Sequence, residues 1–109
     1  MRNGVYRVWV QGLGRPFSGV AALKDGALFA AGKEFVYNGT VSTRGDWLTG
    51  DIAVKRLYPA APTTPFGDRE TLHIAIEGHT GREVAQLSGT IAEAPETPLS
   101  VEFAFLCEA

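Results

Sequence analysis

The feature that most constrains this chain is an apolar, alternating stretch at residues 3–10, Asn-Gly-Val-Tyr-Arg-Val-Trp-Val. It has a counterpart at residues 101–107, Val-Glu-Phe-Ala-Phe-Leu-Cys. A strand of this kind with a bare edge would offer unpaired backbone donors and acceptors to any other chain. One edge of the first stretch can take the next strand, and the last stretch is the obvious partner for the other. If the two meet, the sheet closes on itself.

The segments between them fit closure. Gln11–Phe17 reads as a loop broken by Gly12, Gly14 and Pro16, followed by strands at Gly19–Lys24 and Ala27–Ala31. Asp25-Gly26 joins those two. An Asp-Gly pair between apolar runs signals a type I′ hairpin, whose central positions both require positive φ. Gly32-Lys33-Glu34 turns the chain into Phe35–Thr43, where Phe35, Tyr37, Gly39 and Val41 share one face. After Arg44-Gly45-Asp46 comes Trp47–Leu57, in which Leu48, Gly50, Ile52 and Val54 alternate with Thr49, Asp51, Ala53 and Lys55. Tyr58–Asp68 is a long surface loop, denied ladder hydrogen bonds by Pro59, Pro62 and Pro65. Leu72, Ile74 and Ile76 alternate with Thr71, His73, Ala75 and Glu77 in the next strand. His79-Thr80-Gly81 turns, Val84–Ile91 returns, and Ala94–Pro98 reads as a second proline-bounded loop before Val101–Cys107.

About eight short strands at roughly 8–12-residue spacing suggest a sandwich or barrel. The tight links favour a meander, because a Greek key needs one long return connection. The fold class expected is therefore all-β, an eight-stranded antiparallel up-and-down barrel, with residues 1–109 forming a single domain.

Charge and composition exclude several functions. Of the 109 residues, 45% are hydrophobic and 20% charged, as in an ordinary soluble globule. A net charge of -2 opposes nucleic-acid binding, which needs a concentrated basic surface. No apolar run approaches the roughly 20 residues of a spanning helix. Residues 1–4 carry no apolar leader, so the cytoplasm is the expected location. A single cysteine, Cys107, forbids an internal disulfide and is expected to extend the Phe103/Phe105 face as a small buried hydrophobe.

Catalytic and cofactor motifs are absent. Gly12-Leu13-Gly14 follows a strand but opens no helix, so it lacks the helix N-terminus that holds a dinucleotide pyrophosphate. No Gly-x-Ser-x-Gly elbow occurs. His73 and His79 are not at a metal-ligand spacing, and Asp68, Glu70 or Glu77 would have to complete any site. Asp46 and Asp51 have no partner identifiable from spacing. Arg44-Gly45-Asp46 and Asn38-Gly39-Thr40 are read as a turn and a strand. The chain is expected to be no enzyme, with no catalytic residue, metal or cofactor.

Two binding surfaces remain. An eight-stranded barrel is just wide enough to be filled by side chains or to hold one small ligand. Tyr6, Phe35, Tyr37, Phe103 and Phe105 either pack the interior solid, the commoner outcome, or line a pocket for a small apolar molecule. On the opposite face Val5, Trp9, Val20, Ala22, Phe29 and Ala31 are apolar where a wetted sheet would be polar. Such a face usually marks an interface, here expected to be that of a homodimer.

Several stretches in order resemble a known family. They are Asn-Gly-x-Tyr at Asn3–Tyr6, Gly19-Val20 running to Leu23-x-Asp25-Gly26, the aromatic-to-glycine run Phe35–Gly39 and the Leu48…Val54 strand. Pro65-Phe66-Gly67 and Leu72-x-Ile74-x-Ile76-x-Gly78 complete the set. Together they resemble the bacterial type III secretion negative-regulator (GrlR-like) family, small lipocalin-like β-barrels that form dimers. The resemblance implies a cytoplasmic, non-enzymatic protein that sequesters a protein partner. In the founding regulator an acidic Glu-Asp-Glu-Asp surface motif captures a transcriptional activator. That motif is missing here: the turn after Thr43 offers Arg44-Gly45-Asp46, and the nearest acidic loop is Glu93–Glu96.

Overall fold

In the computed structural model, which describes residues 1–12, 16–32, 35–57 and 71–108, the strands follow one another without exception. They are β1 (Gly4–Gln11), β2 (Phe17–Lys24), β3 (Ala27–Ala31), β4 (Phe35–Arg44), β5 (Trp47–Arg56), β6 (Thr71–Thr80), β7 (Val84–Ile91) and β8 (Ala94–Cys107). Each pairs antiparallel with the next, and β1 pairs with β8, so the sheet is a closed up-and-down barrel. Closure gives both apolar terminal strands two partners and leaves no edge strand. No helix occurs among the described residues.

Register decides which side chains enter the barrel. Tyr6 pairs with Ala21 and Phe105, Val8 with Gly19 and Phe103, and Val10 with Phe17 and Val101. These residues point inward, and the outward set is Val5, Arg7 and Trp9 with Ala22, Val20 and Ser18. The same alternation sends Leu48, Val54, Leu72, Ile74 and Ile76 inside. Tyr6, Phe103, Leu23, Leu48 and Val54 are the largest fully buried side chains.

One end of the barrel is firmly stoppered. The Tyr6 ring meets Phe105 edge-on at 5.5 Å and Phe103 at 6.4 Å. The Tyr6 hydroxyl donates to the Arg2 carbonyl, and the Arg2 guanidinium lies 3.7 Å over the Phe105 ring. Burial pushes the Tyr6 phenol above its ordinary pKa, against the opposing pull of Arg2. The β2–β3 hairpin lies at the same end. Its Asp25 N–H donates to Asn3 Oδ1 at 2.9 Å, and Asn3 Nδ2 donates to Asp25 Oδ1 at 3.1 Å.

The Asp25-Gly26 turn has the conformation its sequence demands, with φ of 51° and 83°. Elsewhere the strands outrun the sequence reading. Phe17 and Ser18 belong to β2, and Thr80 to β6. Residues 94–98, expected as a loop, open β8. The prolines are tolerated because β1 pairing extends only to Ser100, so this part of β8 has a single ladder partner. Cys107, expected inside, is exposed. The register shifts between Val5 and Tyr6, making Leu106 an extra residue on β8, and this bulge turns Cys107 outward opposite Val5. The proposed loop Tyr58–Asp68 lies outside the described residues.

Candidate functional site: a cavity behind the β2–β3 seam

Above the aromatic stopper the barrel is hollow. A cavity of about 210 Å³ occupies the half bounded by the C-terminal end of β1, the N-terminal end of β2 and the C-terminal end of β3. Its walls are Val8 and Val10 from β1, Leu28 and Ala30 from β3, Tyr37 from β4 and Ile52 from β5. Phe17 and Ala21 of β2, Ile74 and Ile76 of β6, and Leu99, Val101 and Phe103 of β8 line it as well.

The hollow comes from small residues at inward positions. Ala21 faces Ala30 across the β2–β3 pair, and Gly19 sits one inward step above Ala21. A Cβ at Gly19 would meet no atom within 4 Å. Lower on the opposite wall there is no such room. A Cβ at Gly50 would come within 2.8 Å of Val41 Cγ1 and 2.9 Å of the Thr40 carbonyl oxygen. Gly50 therefore permits close packing, whereas Gly19 leaves space.

The wall beside the cavity is incomplete. The β2–β3 ladder consists of four pairs, from Ala21↔Ala30 to Lys24↔Ala27. β3 stops at Ala31, and Gly32 N–H turns back to the Phe35 carbonyl at 2.9 Å, while β2 continues up to Phe17. Ser18, Gly19 and Val20 on one side and Ala31 and Gly32 on the other border the resulting seam. Gly19 is consequently exposed although it occupies an inward register position.

Among the described residues that line the cavity none is charged, and only Tyr37 and Ser18 carry a side-chain hydroxyl. Of the aromatics expected there, Tyr37 and Phe103 line it. Tyr6 and Phe105 belong to the stopper, because they pair with each other one inward step below Val8 and Phe103. Phe35 lies above, its ring 6.4 Å from Tyr37 and 5.8 Å from the Arg56 guanidinium. Arg56 is buried on the inward face of β5. Alternation marks Arg56 as inward from the sequence, but a charge at that position is easily taken for the strand's end.

The outer wall has two characters. From β8 to β3 one cross-strand row reads Cys107, Val5, Ala22 and Phe29. The neighbouring row carries Val84, Ala104, Arg7 and Val20. Val20 and Phe29 are 56% and 52% exposed. Trp9 is half-buried, with the Arg7 guanidinium 5.4 Å from its ring. All six residues expected on the association face, Ala31 among them, thus point outward. Around β4–β7 the outer wall is polar, and Thr40, Ser42, Thr49, Asp51, Glu77 and Ser88 border an open groove there. Its hydroxyls are engaged locally: Ser42 Oγ is 3.4 Å from Thr49 Oγ1, and Ser88 Oγ donates to the Glu77 carbonyl at 3.3 Å.

The histidines stand apart. Glu93, in the β7–β8 turn, accepts from the His73 backbone N–H at 2.9 Å and lies 2.7 Å from its Nδ1. Chiefly the imidazole contact, then the backbone N–H, holds the Glu93 carboxyl down to about 2. His79 stacks edge-on with Trp47 at 5.0 Å and is 3.9 Å from Asp46. Among the described residues no group of three or more His, Cys, Asp or Glu is placed to hold a metal, and Asp68 and Glu70 lie outside them. No helix among the described residues is long and apolar enough to cross a membrane. No family model matches the chain, and no curated protein sequence matches it at a significant level.

Proposed function

We propose that this chain is a non-enzymatic interaction protein, a lipocalin-like barrel that pairs with a second copy of itself and captures a protein partner. Regulation of the kind performed by the type III secretion negative regulators is the task its sequence resemblance implies. The cytoplasm is the setting that goes with that task. The carrying observation is the apolar outer row of Val5, Ala22 and Phe29 with Val20 beside it. Water gains from covering such a row, since full burial of a valine or phenylalanine side chain contributes roughly 1.5–3 kcal/mol. The polar outer wall of β4–β7 leaves β1–β3 as the favoured side for association.

The partner that the resemblance suggests, a transcriptional activator, would need a contact other than an acidic Glu-Asp-Glu-Asp motif. Glu93 is half-buried and held by His73, which makes it a poor substitute. Light scattering tests the pairing. Wild-type protein at tens of micromolar should be dimeric, and Phe29→Glu, which places a charge at the exposed β3 end of the row, should be monomeric with an unchanged fold by circular dichroism. A monomeric wild type under those conditions removes the reading.

A further inference from the structure

We propose that the 210 Å³ cavity is a binding site for a small uncharged apolar molecule, which gains access laterally through the seam between β2 and β3. Three observations carry this. The described lining contains no charged side chain, so burying an ion there would cost far more than its apolar contacts return. Water is a poor occupant as well, because it needs two to four polar partners and the described lining is mostly apolar. The space exceeds an apolar cavity of about 150 Å³ that suffices for benzene, which sets the class of ligand at a fused pair of rings or a short branched alkyl chain.

The route follows from Gly19. An inward position that is nevertheless exposed, where an added Cβ would meet nothing within 4 Å among the described residues, is where the interior communicates with the outside. The ladder stops immediately beside it, at Ala21↔Ala30. No strand pairing has to break for a flat molecule to slide between Val20 and Ala31.

The test uses the full chain and naphthalene, followed through the methyl resonances of Leu28, Ile52, Ile74 and Ile76. Saturable shifts of those interior methyls are expected. Gly19→Phe should weaken binding at least tenfold while melting no lower than wild type, because the new ring occupies existing space. Ala30→Leu fills the same space from β3 and replaces Gly19→Phe should that variant fail to fold. No interior shifts, or naphthalene binding as tight in both plugged variants as in wild type, would overturn the proposal. The entrance between Val20 and Ala31 lies on the face assigned to pairing, so the titration is repeated on monomeric Phe29→Glu: interior shifts there support the site whatever the oligomeric state of the wild type, and their absence there overturns it, so the two readings fail separately.

Discussion

A single carboxylate fastens the hollow end of the barrel. Glu93 grips both the backbone N–H and the imidazole of His73, and Ala92 N–H donates to the His73 carbonyl at 2.8 Å. The β7–β8 turn is thereby tied to the start of β6. The Glu93 carboxyl sits at about 2 in the folded chain, below the ordinary value of 4.5 that it regains on unfolding. Between those values the unfolded chain binds more protons, so stability is present above about pH 4.5 and drains away as pH falls toward 2. Wild-type protein should therefore lose denaturation midpoint across that window, and Glu93→Gln should show a shallower loss. Parallel acid titrations of the two proteins would contradict the assignment. Residue by residue, the sequence made inward and outward faces legible, since Phe35, Tyr37, Leu48 and Val54 lie where alternation puts them. Cys107 escaped because one extra residue, Leu106, reverses the alternation, and nothing in Ala-Phe-Leu-Cys announces a bulge.

At the scale of elements, the β2–β3 hairpin joins the stopper to the seam. Its turn is fixed by Asp25 and Gly26 at positive φ, and the Asn3 side chain donates to the Asp25 carboxylate and accepts from its backbone N–H. Gly26→Ala forces a Cβ into the left-handed region, where it would also meet the Val41 carbonyl oxygen at 3.0 Å. The expected cost is about 1–2 kcal/mol in urea unfolding, and a neutral substitution would show that the turn does not set the register. The Asp-Gly signal was readable because it is local chemistry. The seam was not, because it arises from a mismatch in length between two strands, β2 with eight residues and β3 with five. Strand existence follows from alternation, whereas strand ends depend on which neighbour remains to pair with. The same reason hid the start of β8. Its prolines signal a loop in isolation and become acceptable only where the β1 side carries no ladder.

Over the whole molecule, closure of β1 on β8 removes the edges; Val20 and Phe29 are the large exposed hydrophobics on the outer face of β1–β3, and Trp47, Leu57, Val84 and Leu106 are exposed at strand ends elsewhere. The aromatic content suggested a core that is either filled or hollow, and the chain does both: a ring stopper at one end and a cavity at the other. The small residues Gly19, Ala21 and Ala30 were the available sign of the hollow half, but each became informative only once register placed them on one patch of the inner wall. The central claim is that this barrel works by association through the outer face of β1–β3. Native mass spectrometry on freshly purified protein, repeated after denaturation, tests it most directly. The account expects a native species at twice the 11.7 kDa chain mass, with any denaturation-labile addition marking a ligand carried in the cavity. A native species at the mass of one chain across the micromolar range would contradict it.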